Sequence, residues 1–362
     1  MKMRSFLFMG LTLFLFHASI AQIIDSIPLE RTKKLTFNGY IKDLNNFRFP
    51  VMNFPFRYGH LIHNRLNFKW QSSYINASVE IRNRLLWDYN PNAKYFGSIE
   101  RAWLEYKAGK WSIKTGRQRI NWGMNNAWNP NDIFNSFNMI DFDYEERVGV
   151  DGLRVHYQRS DMSAIEFVVS KSMHWRINNY ALKYHLNRSN YDWQLIGGVF
   201  QGILTAGLGW QGSIGETGFK GEVQHFFKKE NQNPHTNFSI EFDYITKKGW
   251  YFNATTLFNQ KGFLKSPLNL TSLKFENTPD NLMPTKWNIL VGASKDITPV
   301  INGKFNYIFS PVNNMMVFLP SISFNVLSNL DLDIIWQTFL IEQLDAIRPI
   351  NHNAFIRGKI SF

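Results

Sequence analysis

The chain of 362 residues contains no cysteine, so its stability cannot rest on disulfide bonds. Beyond residue 21 it also lacks any apolar run close to the ~18 residues that a membrane-spanning helix requires. Helical periodicity of useful length is missing from the same part of the chain, and neither a linker nor a sequence repeat divides it. These absences point to a single all-β domain.

The first 21 residues have the three parts of a secretory signal peptide. Basic residues stand at positions 2 and 4, an apolar run covers 6–16, and the small residues Ser19 and Ala21 suit the cleavage point. The apolar run is too short for an uncleaved anchor helix. We therefore expect residues 1–21 to be removed after export and residues 22–34 to form a short periplasmic segment.

Apolar and polar side chains alternate along most of the remaining chain, residues 35–362. Phe238 and Ile240, for example, alternate with Ser239 and Glu241. A period of two is that of a β-strand with two different faces. Because one face is uniformly apolar in strand after strand, we expect it to contact lipid while the polar face lines a lumen. The pattern predicts a transmembrane β-barrel in the bacterial outer membrane of a Gram-negative cell.

The connections between the predicted strands alternate in length. Short connections are centred near residues 72, 110, 160, 188, 216, 248, 299 and 329. The others are mostly long, apart from tight ones at 201–202 and 311–314. This alternation is typical of antiparallel up-and-down barrels with short periplasmic turns and longer outer loops. It predicts about eighteen strands with both chain ends in the periplasm. Sixteen is the alternative, because glycines blur the strand boundaries in 191–214.

The last predicted strand ends on an aromatic residue. Ala354, Ile356, Ile360 and Phe362 share one phase, and polar residues occupy much of the other. A terminal aromatic in phase with the apolar face resembles the C-terminal assembly signal of outer-membrane proteins. We therefore expect the barrel-assembly machinery to act on this strand.

The segment 98–157 contains the feature around which the chain is organised. A tight turn at residues 109–110 predicts a hairpin that sets Glu105 opposite Lys114 and Trp103 opposite Gly116. Beyond Gly116 the apolar phase carries Arg117 and then Arg119. A one-residue bulge at Gly116 would turn both arginines into the lumen and return the following apolar residues to the lipid face.

Basic residues dominate the predicted lumen face of the early strands, and a row of such charges lowers the barrier for anions. The later strands contribute more acidic side chains, so a mesh of salt bridges is the alternative interpretation. The spread of the charges along strands argues against nucleic acid as a partner. The candidate pore-lining or substrate-binding residues are Arg65, Arg82, Arg84, Arg101, Lys114, Arg117, Arg119 and Arg154.

A long loop rich in aromatic and acidic residues follows this hairpin. It would either fold into the lumen as a constriction or form an external flap. Its candidate constriction residues are Trp128, Asp132, Asp141 and Asp143. The connection at 261–284 is the second candidate for such a role.

The motifs GRQ at 116–118, NWG at 121–123, NP at 129–130 and RVGVDG at 147–152 together resemble porin-like outer-membrane barrels of the alginate-export type and related families. The resemblance covers roughly residues 98–157. It implies an arginine-rich lumen that passes solutes or an anionic polysaccharide. The arginines to which it extends are Arg82, Arg101, Arg117 and Arg119.

No spacing of catalytic or metal-binding residues is diagnostic, so we expect neither an enzyme nor a cofactor nor a metal site. Asp141, Asp143 and His174 form the best group for the less favoured hydrolase interpretation. We expect a channel for small or polymeric, anionic solutes, surrounded by outer-membrane lipids and lipopolysaccharide. A barrel for surface assembly or attachment is the alternative, and a homo-oligomer is left open.

Overall fold

The computed structural model describes residues 33–51, 55–88, 92–135, 149–171, 178–229, 233–263, 277–343 and 346–362, and the predicted signal peptide lies outside them. These residues form eighteen strands in one sheet. In chain order the strands are β1 (Lys34–Arg48), β2 (Arg57–Gln71), β3 (Ile75–Asp88), β4 (Lys94–Ala108), β5 (Trp111–Gln118), β6 (Val150–Ser160), β7 (Ser163–Ser170), β8 (Asn179–Arg188), β9 (Tyr191–Phe200), β10 (Ile203–Ile214), β11 (Thr217–Phe226), β12 (His235–Ile245), β13 (Trp250–Asn259), β14 (Trp287–Thr298), β15 (Ile301–Ser310), β16 (Met315–Leu327), β17 (Leu330–Gln343) and β18 (Ala346–Ser361). A single 3-10 turn at Val312–Asn314 joins β15 to β16.

Across the described part of the chain, no helix is both long and apolar enough to cross a membrane.

The sheet closes on itself as an up-and-down barrel. Each strand pairs antiparallel with its neighbours in sequence, and β1 pairs with both β2 and β18. Closure leaves no open sheet edge, because every strand has a neighbour on each side. The prediction of eighteen strands is confirmed. The glycine-rich stretch that left sixteen open contains two full strands, β9 and β10, joined at Gln201 and Gly202.

Turn chemistry explains the short connections. Ser189 and Asn190 both have positive φ angles, of 56° and 63°, and so do Gln201 and Gly202, at 50° and 77°. Two successive residues with positive φ give the turn whose twist matches that of a β-hairpin. The predicted alternation of short and long connections holds for most of the barrel. The longer connection predicted at 342–351 is wrong, because β17 and β18 pair up to Gln343↔Ala346 and only two residues separate them.

The two faces of the wall differ as the alternation predicted. On β1 the side chains of Leu35, Phe37 and Ile41 are 74%, 54% and 50% exposed on the outer face. Lys42, the next residue along, is fully buried on the lumen side. An outer face of this kind matches the apolar band of a membrane barrel.

The predicted bulge at Gly116 is wrong. The pairing of β4 with β5 runs without interruption from Ala108↔Trp111 to Ala102↔Arg117, so Gly116 adds no extra residue. Gly116 does have a φ angle of +106°, and a Cβ there would lie 2.3 Å from the carbonyl oxygen of Ala102. The register shift lies on the neighbouring pair, β3 with β4, where Glu100 is the extra residue.

The height of the wall changes sharply between β4 and β5. β4 has 15 residues, whereas β5 and β7 have 8 each. Since Ala108 pairs with Trp111, both strands reach the same rim of the barrel at the turn of residues 109–110, and β4 extends further than β5 toward the opposite rim. At the end of β5, the side chain of Gln118 donates to the backbone oxygens of Lys114 and Gly152 at 3.1 and 3.2 Å. The chain leaves the wall there.

The C-terminus completes the barrel seam. Phe362 and Gly39 exchange two backbone hydrogen bonds of 2.9 and 3.0 Å. The ring of Phe362 covers Gly39 on the outer face and lies 5.8 Å from the ring of Phe37. The terminal aromatic therefore belongs to the lipid-facing surface of the seam.

Replacing Phe362 by Asp should reduce the folded, heat-modifiable species several-fold, because a carboxylate on the lipid face is penalised and the ring contact with Phe37 is lost. Ser361→Asp is the matched control, since Ser361 pairs with Tyr40 on the lumen face. Gel mobility of unheated outer-membrane samples measures both. Equal losses would mean that any charge at the terminus is harmful, whichever face it occupies.

Candidate functional site in the barrel lumen

The chain that follows β5 folds into the lumen. We call residues 119–135 the inner loop. Four of its side chains, Ile120, Trp122, Ile133 and Phe134, are at most 7% exposed. They pack against inward-facing side chains of β7 to β11, namely Val168, Ala181, Ile196, Phe200, Ile203 and Phe226. The expectation that Ile120 and Trp122 return to the lipid face is therefore wrong, because the lumen itself supplies an apolar environment.

A second apolar cluster fixes the tip of the inner loop. Ala127 and Trp128 are each 1% exposed and pack with Leu282 and Met283 of the connection between β13 and β14. Wall residues of β13 to β16 complete the cluster, namely Leu257, Leu290, Ile308, Met315 and Val317. The described part of the 261–284 connection thus also fills part of the lumen. This agrees with the prediction that it is the second candidate for a constriction.

Two buried glutamates hold the backbone of the inner loop. Glu222 on β11 is fully buried and accepts backbone N–H bonds from Met124, Asn125 and Asn131 at 2.5, 2.8 and 2.9 Å. Glu241 on β12 is equally buried and accepts the backbone N–H groups of Asn126 and Ala127, at 2.9 and 3.3 Å. A carboxylate that accepts several N–H groups satisfies donors that the loop cannot pair within itself.

A third carboxylate fixes the start of the loop. The indole nitrogen of Trp122 donates to Glu166 on β7 at 2.5 Å, and the backbone oxygen of Trp122 accepts from Gln194 at 2.8 Å. Arg154 on β6 also donates to Glu166, at 2.5 Å. The loop is therefore bound to the wall at both ends and at its tip, which makes it part of the lumen structure.

Glycines on β10 make room for the inner loop. A Cβ on Gly207 would lie 2.8 Å from the amide oxygen of Asn131, and a Cβ on Gly209 would lie 2.9 Å from its amide nitrogen. The Asn131 amide donates to the backbone oxygen of Leu208, between them, at 3.0 Å. A side chain at either glycine would separate the loop from the wall.

The opposite wall carries the predicted basic residues, and glutamates pair with several of them. Arg65 and Glu80 form an ion pair, and Arg101 approaches the same carboxylate at 3.3 Å. Arg82 pairs at 2.8 Å with Glu100, the extra residue of the bulge. The bulge thus brings a second acid into the lumen beside the arginines.

The remaining predicted residues fall into two groups. Lys114 lies in the lumen, 3.6 Å from Glu105 and 4.0 Å from the ring centre of Trp103. Arg84 shares the inward face of β3 with Arg82. Arg154 is 31% exposed in its side chain and pairs with Glu166. These three share the basic wall with Arg65, Arg82 and Arg101.

The structure corrects the position of Arg117. Its lateral partners are Ala102 and Asp151, which share the outward phase of Leu104 and Leu153. The guanidinium makes two hydrogen bonds to the Asp151 carboxylate, at 2.8 and 2.9 Å. Without the bulge, the strand phase keeps Arg117 outside the lumen. Arg119 follows the end of β5 and is exposed.

Among the constriction candidates, Trp128 and Asp132 lie in the inner loop and are each 1% exposed. Asp132 accepts the backbone N–H of Trp122 at 3.5 Å. Asp141 and Asp143 lie outside the described residues, and so does His174 of the hydrolase alternative. Within the described ranges, no three His, Asp or Glu side chains are grouped as a metal site would require.

Sequence reasoning missed the anchoring role of Glu222 and Glu241. Both were recognised only as acidic lumen residues of the later strands. The available signal was their place on the polar phase of their strands, with Glu222 directly opposite Gly209 of β10. Their backbone partners lie about a hundred residues earlier in the chain, so no local pattern connects them.

The second inward connection has its own polar contact. Asp280 is 5% exposed, lies 3.5 Å from His235 and pairs with Lys261. Burial raises the pKa of the Asp280 carboxyl, but the His235 hydrogen bond and the Lys261 charge outweigh it and hold the pKa below its usual range. The Lys261–Asp280 pair therefore closes the connection on itself, and His235 joins it to β12.

Glu222→Gln should loosen the inner loop, because the amide replaces a charged acceptor and presents N–H groups to N–H groups. We expect faster proteolytic cleavage within residues 119–135 and a loss of roughly 1.5–3 kcal/mol of unfolding free energy. Glu216→Gln is the control, because Glu216 lies in an exposed turn between β10 and β11. Identical cleavage rates in the two variants would contradict the anchoring role.

No protein-family model and no curated protein matches the sequence. Solved structures match nearly the whole chain. Pseudomonas aeruginosa OccK2 (OpdF) is 8% identical with a TM-score of 0.63, over 91% of this chain and 98% of that one. P. aeruginosa OprD is 8% identical at 0.61, over 92% and 97%. Acinetobacter baumannii OccAB4 is 10% identical at 0.61, over 93% and 100%. Such likeness establishes the fold, and the chain is a porin-like β-barrel of eighteen strands.

Proposed function

We propose that the protein is an outer-membrane channel whose lumen passes small solutes and favours anionic ones. The carrying observation is the division of the lumen into two sides. Most of the described contacts of the inner loop are with β7 to β16, whereas the candidate pore-lining basic residues lie on β2 to β6. A passage between the inner loop and the basic wall would expose a solute to cationic side chains along its length.

Exposure supports this route. The side chains of Arg82 and Arg154 are each 31% exposed, although their acidic partners Glu100 and Glu166 are each 3% exposed. The arginine in each pair thus faces the lumen water and the acid lies behind it. A solute passing there would meet guanidinium groups, which stay charged at any physiological pH and bind carboxylates and phosphates in a bidentate manner.

The strength of the preference depends on the paired acids. Glu80, Glu100 and Glu105 neutralise part of the basic wall, but cationic side chains still outnumber them on the inward faces of β1 to β6. Lys220 and Arg357 are paired with Asp243 and Asp333 on the later strands, at 2.8 and 2.7 Å. We therefore expect a moderate preference for anions that added salt weakens by screening.

The outer-membrane location rests on the closed barrel, its apolar outer face, the expected signal peptide and the outward Phe362. Outer-membrane lipids, lipopolysaccharide and the barrel-assembly machinery follow from it as partners. Polymer export, which the resemblance to alginate-export-type barrels implies, is a more specific form of the same proposal. It needs a wider passage than a route for small solutes.

A barrel for surface assembly or attachment is the second candidate function. The observation in its favour is the extent of apolar packing inside the lumen, where two clusters hold the inner loop. A closed lumen would conduct no ions. Conductance of the purified protein in planar bilayers distinguishes the two functions, and a protein that inserts without any conductance would contradict the channel.

The double variant Arg82→Gln and Arg84→Gln removes two lumen charges and should shift the reversal potential in a salt gradient toward cations. The conductance should persist, because the two substitutions leave the backbone unchanged and add no side-chain volume to the lumen. Arg117→Gln is the matched control: it removes an arginine from β5, two strands away, but on the outer face. An equal shift in the control would mean that the reversal potential does not report on the basic wall.

A further inference from the structure

An ion pair interrupts the apolar outer face of the barrel at β5 and β6. Arg117 and Asp151 are direct partners in the pairing of these two strands, and their side chains are 40% and 50% exposed. The arginine–carboxylate pairs of Arg82, Arg154 and Arg357 lie in the lumen. The Arg117–Asp151 pair instead faces the lipid side of the wall.

The pair lies within the height of the apolar band. Next to the turn of residues 109–110, the rings of Trp111 and Tyr157 are 4.5 Å apart on the same face, and such aromatic side chains mark a membrane–water interface. Arg117 is ~15 Å further along the membrane normal, at ~3.3 Å per residue and ~40° tilt. The apolar band of an outer-membrane barrel is about 25 Å tall. On the neighbouring β4, the apolar face continues past the pair with Ile99, which is 51% exposed.

Part of the hydrogen-bonding capacity of the pair is unused. Two N–H groups of Arg117 bind the Asp151 carboxylate, at 2.8 and 2.9 Å, and a third donates to the backbone oxygen of Ile99 at 2.9 Å. The guanidinium has further N–H groups, for which the described residues provide no acceptor, and each carboxylate oxygen can accept a further bond. Lipid tails offer neither donors nor acceptors, so a charged pair at this depth is costly unless a polar surface covers it.

A two-fold axis along the membrane normal makes the pair its own complement. Copies of a barrel insert in one orientation, so a two-fold contact between them keeps each residue at the same depth and reverses the lateral order of the strands. Arg117 of each copy then faces Asp151 of the other. The unused N–H groups of one guanidinium meet the unused acceptor positions of the other carboxylate, and opposite charges face each other at both positions.

The surroundings of the pair allow a second barrel to approach. Ala102, beside Arg117 on β4, and Thr115, the preceding outward residue of β5, have short side chains that do not cover the guanidinium. Ile113 and Leu153 are 41% and 40% exposed on the same face and provide apolar surface around the charges. Apolar contacts around a central polar group exclude solvent from it, which strengthens the central interaction.

We propose that two copies of the protein form a two-fold dimer in the membrane through the outer face of β5 and β6, with their Arg117–Asp151 pairs joined in one ring of four charges. The proposal rests on the outer-membrane location and not on conduction, because the barrel wall separates the pair from the lumen. A contact without two-fold symmetry, as in a three-membered ring, sets the pair against a different part of the neighbouring surface and loses the self-complementarity.

The test uses single cysteines, because the chain has none of its own. Thr115→Cys lies next to the proposed axis. Val291→Cys is the control, because Val291 is 43% exposed on the outer face of β14, on the opposite side of the ring of strands. Both are made with and without the double change Arg117→Leu, Asp151→Leu. Isolated outer membranes are treated with a short bifunctional thiol reagent, native mass spectrometry of outer-membrane vesicles counts the copies, and heat modifiability confirms folding.

Thr115→Cys should give a cross-linked dimer, and the double change should lower its yield about tenfold, since a hydrogen-bonded charge pair across a contact contributes at least that factor to affinity. Val291→Cys should give little dimer in either background. The proposal would be overturned by a yield at Thr115→Cys no higher than at Val291→Cys, by an undiminished yield after the double change, or by a native mass of one or three copies.

A charge exchange keeps the test decisive if the double variant does not fold. Arg117→Asp and Asp151→Arg, each in the Thr115→Cys background, bring like charges together in a dimer of identical copies and should each cross-link poorly. When the two variants are co-expressed, each acidic face meets a basic one, so cross-linking between them should recover. No recovery in the mixture would contradict a direct contact between the pairs of the two copies.

Discussion

The arrangement of the lumen depends on buried carboxylates that accept backbone N–H groups. A loop inside a barrel has no ladder to satisfy its amides, and unpaired amides in a largely dehydrated interior cost about 1–3 kcal/mol each. Glu222 and Glu241 accept five of them, and both side chains are fully buried. Without these acceptors the apolar side chains of the inner loop would still favour burial, but its backbone would favour water. The two carboxylates resolve that conflict.

This use of acids changes the meaning of the charge pattern. The acidic residues of the later strands look like a counter-wall for the arginines when only the sequence is considered. Glu222 and Glu241 instead bind the backbone of the inner loop. Asp243 and Asp333 form ion pairs with Lys220 and Arg357. The acids that moderate the arginines come from the early strands, above all Glu80 and Glu100. Arg65, Arg82 and Arg101 are therefore paired with acids of β3 and β4 and not with the acids of the later strands.

Strand number, phase, turn positions and the hairpin register of Glu105 with Lys114 were predictable, because period two and turn chemistry are local properties. The course of the chain after Gln118 was not. An apolar residue such as Trp122 indicates burial, but a barrel with a filled lumen offers two apolar environments, lipid and inner loop. Alternation alone cannot distinguish them. The bulge at Glu100 was equally hidden, since it depends on which residue of β4 finds no partner on β3.

One local event gives rise to both the inner loop and the outward position of Arg117. β5 ends at Gln118, which still pairs with Val150 and whose side chain donates to the backbone oxygens of Lys114 and Gly152. Ending the strand there frees the next residues to turn into the lumen. It also leaves Arg117 on the outer face, where the Asp151 carboxylate and the backbone oxygen of Ile99 accept its hydrogen bonds. A bulge at Gly116 would have carried the arginines inward and the tryptophan outward; the unbroken register does the reverse, so that the aromatic fills the lumen and Arg117 lies on the outer face.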